Sequence, residues 1–112
     1  MRYPRQKLFL VCTGPRCSNP DRGEDRGEVL REELKVLNKC AGRAGIARIC
    51  GVSCLDLCDH GPNMVVEPDG TVYSHLDRGT ARAAYEGEMG DGPKRGDLTL
   101  AREEWEAGRH KV

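Results

Sequence analysis

Aromatic side chains are scarce in this chain of 112 residues: one Trp, one Phe and three Tyr make up 4% of it. The core must be modest and aliphatic, enough for one domain and little more. Net charge is missing too. Eighteen Lys and Arg cancel eighteen Asp and Glu, which excludes the basic footprint of a nucleic-acid binder or of a protein held on anionic membranes. No window approaches the roughly 18 apolar residues of a membrane span. The N-terminal Met1-Arg2-Tyr3-Pro4-Arg5 leads only to a short apolar stretch at Leu8–Val11. The expected protein is cytoplasmic and not exported. The chain also contains no Cys-x2-Cys, the spacing of zinc knuckles, of the bacterial four-iron run and of thiol-disulfide oxidoreductases.

What the chain does have is six cysteines, better explained in a reducing compartment by metal than by disulfides. Four fall in two pairs. Cys12-Thr-Gly-Pro-Arg-Cys17 is a Cys-x4-Cys, and Cys54-Leu-Asp-Leu-Cys58 is a Cys-x3-Cys, with 36 residues between them. A plant-type ferredoxin run needs a further cysteine where Pro20 stands. Cys50, Cys54 and Cys58 form an evenly spaced row, so Cys50 with Cys54 is a rival second pair. Cys40, one helical turn beyond Val36 and Leu37, reads as a small core hydrophobe.

The order of elements suggests an α/β domain. Lys7–Val11 is a continuous apolar run, the pattern of a strand covered on both faces, and it ends at Cys12. Residues 13–27, rich in Gly and Pro, read as a loop. Leu30, Leu34, Leu37 and Ala41 then recur at helical spacing, with Gly42 and Gly45 to end the helix. A short strand near Ile46–Cys50 leads to a second loop, Gly51–Pro62. Met64–Glu67 and Thr71–Ser74 bracket Pro68-Asp69-Gly70 as a hairpin. A weaker helix is predicted over 77–89, with Gly79 and Gly87 against it. Residues 1–92 form the expected domain. Residues 93–112 form a C-terminal tail in which Leu98, Ala101 and Trp105 dock one face of a short helix.

The blocks Val11-Cys12-Thr13-Gly14 through Cys17, Ser53-Cys54-Leu55-Asp56-Leu57-Cys58-Asp59-His60-Gly61-Pro62 and Val65-Val66-Glu67-Pro68-Asp69-Gly70-Thr71-Val72-Tyr73 resemble the thioredoxin-like [2Fe-2S] ferredoxins, and with them the small flavoprotein-associated subunit of respiratory NADH dehydrogenase. The resemblance spans roughly residues 7–90, and its second block is the specific one. It implies a thioredoxin-like mixed sheet with two helices, a [2Fe-2S] cluster on Cys12, Cys17, Cys54 and Cys58, redox partner proteins and a homodimer. The respiratory subunit's N-terminal helical extension has no counterpart here, which favours a free-standing ferredoxin.

The resulting expectation is one-electron transfer with no organic substrate, at roughly −400 to −200 mV for an all-cysteine cluster near the surface. Glycines 14, 51 and 61 would let backbone N–H groups approach the sulfurs, which raises the potential. Arg16, Asp56, Asp59 and His60 would surround the electron exit. The competing class is a [2Fe-2S] sensor or accessory protein of a metabolic pathway such as tetrapyrrole or cobalamin metabolism. A structural zinc site is a further rival.

Overall fold

The computed structural model describes residues 1–55, 57 and 60–109. The first apolar run is strand β1, Lys7–Cys12, and Ala47–Val52 is β2, parallel to it in a register from Lys7↔Ala47 to Cys12↔Val52. Parallel neighbours need a crossover. Helix α1, Gly27–Cys40, supplies it. The predicted hairpin is present as β3, Met64–Glu67, and β4, Thr71–Tyr73, and Gly70 turns it at a φ of 72°, in the left-handed region that glycine adopts without a Cβ clash. Strand β3 runs antiparallel to both β1 and β4, so the sheet is mixed, in the order β2-β1-β3-β4.

The second main helix is α2, Arg78–Met89. Asp77 and Thr80 cap each other's backbone at its start, at 2.7 and 2.8 Å. Gly87 weakens this helix by propensity but has a packing reason to be there. A Cβ at that position would stand 2.8 Å from the Pro93 carbonyl oxygen, so only glycine lets the following segment lie against the helix.

Both helices cover one side of the sheet. Phe9, Val11, Ala47, Ile49, Met64 and Val66 meet Leu30 and Leu34 of α1 and Ala81, Ala84 and Tyr85 of α2. The Phe9 and Tyr85 rings lie 5.3 Å apart. This is the expected thioredoxin-like α/β layout, a hairpin in the second half of the chain and two principal helices. Several expectations need correction. Strand β1 is fully covered on one face only, because Leu8 and Leu10 on the other face are half-buried. The loop over 13–27 contains a 3-10 segment, Pro20–Asp25, kinked at Gly23. Helix α1 buries Asn38 and leaves Cys40 and Ala41 exposed, so Cys40 is not a core residue. Asn38 tolerates burial because its amide donates to the Ala47 carbonyl at 3.0 Å and accepts from the Tyr85 hydroxyl at 2.8 Å.

The tail returns to the sheet. Leu100 N–H donates to the Val72 carbonyl and Ser74 N–H to the Leu98 carbonyl, at 2.8 and 3.0 Å. Leu98 packs on the core from a 3-10 turn, and the terminal helix, α3, begins only at Arg102 and runs to Arg109. Ala101 is exposed and Trp105 half-exposed.

Candidate metal centre

Strands β1 and β2 are parallel and end in register at Cys12 and Val52, so both cysteine loops leave the sheet at one edge. There the loops are sewn together. Thr13 N–H donates to the Val52 carbonyl at 2.7 Å, and its hydroxyl donates to the same oxygen at 3.0 Å. A Cβ on Gly14 would stand 2.2 Å from the Ser53 carbonyl oxygen, so backbone meets backbone directly beside Cys54. Arg22 clamps from the side, donating to the Arg16 carbonyl at 2.8 Å in the first loop and to the Gly61 carbonyl at 3.4 Å in the second.

The first pair is enclosed. Cys12 and Cys17 are both 0% exposed. A tight turn after Gly14, closed by Ser18 N–H on the Gly14 carbonyl at 2.8 Å, leads from one to the other. Helix α1 starts against them. Gly27 N–H donates to the Cys17 carbonyl at 2.7 Å, and a Cβ on Gly27 would lie 2.0 Å from the Cys12 carbonyl oxygen and 3.4 Å from the Cys17 Cβ. The positive end of the helix dipole thus lies beside two buried thiols, where it favours negative charge.

Asn63 completes the enclosure, with 0% exposure. Its Nδ2 donates to the Leu57 carbonyl at 2.9 Å and points at the Cys17 Sγ at 3.8 Å, while its backbone carbonyl accepts from Cys12 N–H at 3.1 Å. Among the described residues its Oδ1 is buried without a hydrogen-bond partner. Such an orphan costs stability, so the fold keeps a buried amide next to a cysteine sulfur at some expense.

The second pair is described in part. Cys54 is exposed, while Cys58, Asp56 and Asp59 lie outside the described residues. Cys50 lies inside β2 opposite Leu10, two residues before the edge, with the Arg48 Nε donating to its Sγ at 3.3 Å. His60 follows the loop and is half-buried. Its carbonyl accepts from His75 N–H at 2.7 Å.

No protein-family model matches this chain, and no curated protein does. Solved structures do. The wild-type thioredoxin-like [2Fe-2S] ferredoxin from Aquifex aeolicus superposes with a TM-score of 0.67 at 22% identity, over 88% of this chain and 99% of its own. A cysteine-to-serine variant of that ferredoxin gives 0.67 over 86% and 99%, also at 22% identity. A further structure of it gives 0.62 over 87% and 92%. The chain has the thioredoxin-like [2Fe-2S] ferredoxin fold.

Within the ferredoxin fold, sequence spacing located the cysteines but not what surrounds them. Asn63 carried no sequence signal beyond following Gly61-Pro62. Gly27 read as the last residue of a loop when it is the first of a helix. Arg22 lies among other charges and became a clamp only through the fold. Gly14 and Gly51 were expected to admit N–H groups to the sulfurs. In the structure Gly14 lets the two loops touch, and a Cβ on Gly51 would meet the Arg31 side chain at 2.6 Å.

Proposed function

We propose that the chain holds one [2Fe-2S] cluster on Cys12, Cys17, Cys54 and Cys58 and serves as a one-electron carrier. The observation that carries this reading is the buried Cys12–Cys17 pair at the sheet edge, with the Asn63 amide and the start of α1 turned to it and the Cys54 loop packed on it through Gly14. The donor set fits the group. Soft thiolates suit iron–sulfur centres, and neighbouring N–H donors and a helix N-terminus offset the negative charge they would carry. Cys50 suits the role less well than Cys58, since it sits within a paired strand. When bound, the cluster supplies one reversible electron at iron.

The chain's own residues then have separable tasks. Cys12 and Cys17 lie in the dry interior, where hydrogen bonds have most effect on potential. Asn63 directs a donor at the Cys17 sulfur and, through Leu57, fixes the second loop. Cys54 is exposed, so electrons would leave on that side, and the charge of exposed Arg16 at the same rim would help orient a partner. The tail after residue 92 is an appendage to this domain. Leu8, Leu10, Val65 and Val72 form a half-buried apolar face away from the helices, which supports a homodimer formed clear of the cysteine edge. No helix among the described residues is long and apolar enough to cross a membrane. The carrier is assigned to the cytoplasm.

Purification without air tests the reading. The protein should be red-brown, carry about two irons and two sulfides per chain, and give a paramagnetic signal only after one-electron reduction by dithionite. A colourless protein with stoichiometric zinc would end it. A cluster that forms but exchanges no electrons with any reductase would favour the sensor or accessory role.

A further inference from the structure

Beside the cysteine edge, three donors from distant parts of the sequence converge. A ring nitrogen of His60, a ring nitrogen of His75 and a carboxylate oxygen of Glu104 all lie within 4.8 Å of one another. His60 ends the second cysteine loop, His75 lies between β4 and α2, and Glu104 is on α3. Among the described residues this is the one set of three or more His, Cys, Asp or Glu donors so close. We propose that it is a metal site distinct from the cysteine centre, taking a single divalent first-row transition ion such as zinc.

The chemistry fits. Two imidazoles and one carboxylate are borderline ligands that suit zinc and its neighbours, and three protein ligands leave a fourth position for water or a partner's donor. Around a tetrahedral zinc with bonds of about 2.1 Å, ligand nitrogens stand about 3.4 Å apart. The three groups must therefore close by at most about 1.4 Å. His75 and Glu104 are exposed and His60 is half-buried, so side-chain rotation alone can do this.

The backbone is arranged for the same end. His75 has a φ of 51°, among the described residues the only non-glycine in the left-handed region. A histidine held there is strained, and such strain concentrates at functional positions. His75 N–H on the His60 carbonyl at 2.7 Å fixes the two residues relative to each other, and their rings meet edge to face with centroids 5.8 Å apart. The ion would complete a strap. The tail is tethered upstream by its bonds to Val72 and Ser74, and Glu104 on the metal would pin α3 to the loop that carries the second cysteine pair.

Zinc chloride titrated into cluster-loaded protein, followed by calorimetry and by elemental analysis after desalting, tests the site. One zinc per chain should bind in addition to the iron. His75→Asn, a residue that accepts a positive φ, and Glu104→Gln should each weaken binding by roughly tenfold or more while iron content stays unchanged. Hydrogen exchange across residues 102–109 should slow on zinc addition in the wild type and not in Glu104→Gln. Cys40→Ser with Cys50→Ser should bind zinc as the wild type does. Undiminished zinc binding in His75→Asn and Glu104→Gln would overturn the proposal, as would loss of binding in the cysteine pair variant. Zinc that replaces iron at the cysteines would ignore His75→Asn, so failure of the cluster reading would be told apart from failure of this one.

Discussion

Between sheet and helices, apolar side chains from β1, β2, β3, α1 and α2 interlock, and each has several neighbours that share its load. At the cysteine edge the described contacts are of another kind, among them a carbonyl 2.2 Å from where a Gly14 Cβ would be, the Asn63 amide, and Arg22 spanning two loops. The covered side is held by area removed from water, which tolerates moderate change. The edge is held by backbone proximity and single polar bonds, with an orphaned acceptor left in it. Damage on the covered side should lower the stability of the whole domain, while damage at the edge should remove the centre and leave the domain folded.

The sharpest break of that contrast is at the thiols. Cys12→Ser or Cys17→Ser should take iron from about two per chain to near none, since a hard alkoxide replaces a soft thiolate. Cys50→Ser should keep the iron, and metal analysis with far-UV circular dichroism reads both outcomes. On the covered side, Phe9→Ala removes a ring that is 0% exposed and should cost roughly 3–5 kcal/mol in chemical denaturation. Gly14→Ala forces a methyl onto the Ser53 carbonyl and should cost about 2 kcal/mol, with iron lost before the helices melt. Iron retention equal to the wild type in Gly14→Ala would show that the loops do not need this contact.

On the covered side, a polar network around Glu88 predicts a pH dependence. Glu88, 7% exposed, accepts from the Tyr73 hydroxyl and from Lys7 Nζ at 2.7 Å. Burial alone would raise the Glu88 carboxyl, but these two donors together hold it below the usual carboxylate range. Burial, and then the Glu88 carboxylate, push the Tyr73 hydroxyl well above its usual value. A carboxyl lowered in the fold stabilises above its unfolded pKa of about 4.3, and that contribution is lost as pH falls through the folded value. A tyrosine raised in the fold stabilises below about pH 10 and loses its contribution as pH climbs further. Stability from this network should be flat between those limits and fall on both sides. Lys7→Met should cost about 2 kcal/mol at neutral pH and move the acid limb upward. Thermal melts across the pH range that keep the wild-type acid limb in Lys7→Met would refute the role given to Lys7.

The same contrast explains what was legible in the sequence. Pro68-Asp69-Gly70 between β-prone runs announced the hairpin because turn chemistry is local. The spacing of Leu30 and Leu34 announced α1, but Leu37 and Asn38 are neighbours on the helix surface, and periodicity alone cannot choose between them. Asn38 won the inner place because Ala47 and Tyr85, far away in sequence, satisfy its amide, and that rotation left Cys40 outside. Asn63, Gly27 and Glu104 were illegible for the same reason. Their meaning lies in partners that only the fold brings near.

Asn63→Leu should have the smallest effect, yet it separates the two regions most cleanly. The side chains share a skeleton branched at Cγ, and the larger leucine adds an overpacking cost at this buried position. In the apo protein the change loses the bond to the Leu57 carbonyl and also removes the orphaned Oδ1, two terms of similar size and opposite sign. Apo stability should therefore fall by little more than the overpacking cost, about 1 kcal/mol. In the loaded protein the amide directed at the Cys17 sulfur favours the more negative, reduced state. Its loss should lower the midpoint potential by ~40 mV, the one-electron equivalent of ~1 kcal/mol for a single hydrogen bond. Spectroelectrochemical titration of wild type and Asn63→Leu at equal iron content gives the potential, and denaturation of the two apo proteins gives the stability. An unchanged or raised potential would mean that Asn63 serves the loops and not the electron, and the edge would then differ from the covered side only in how it is packed.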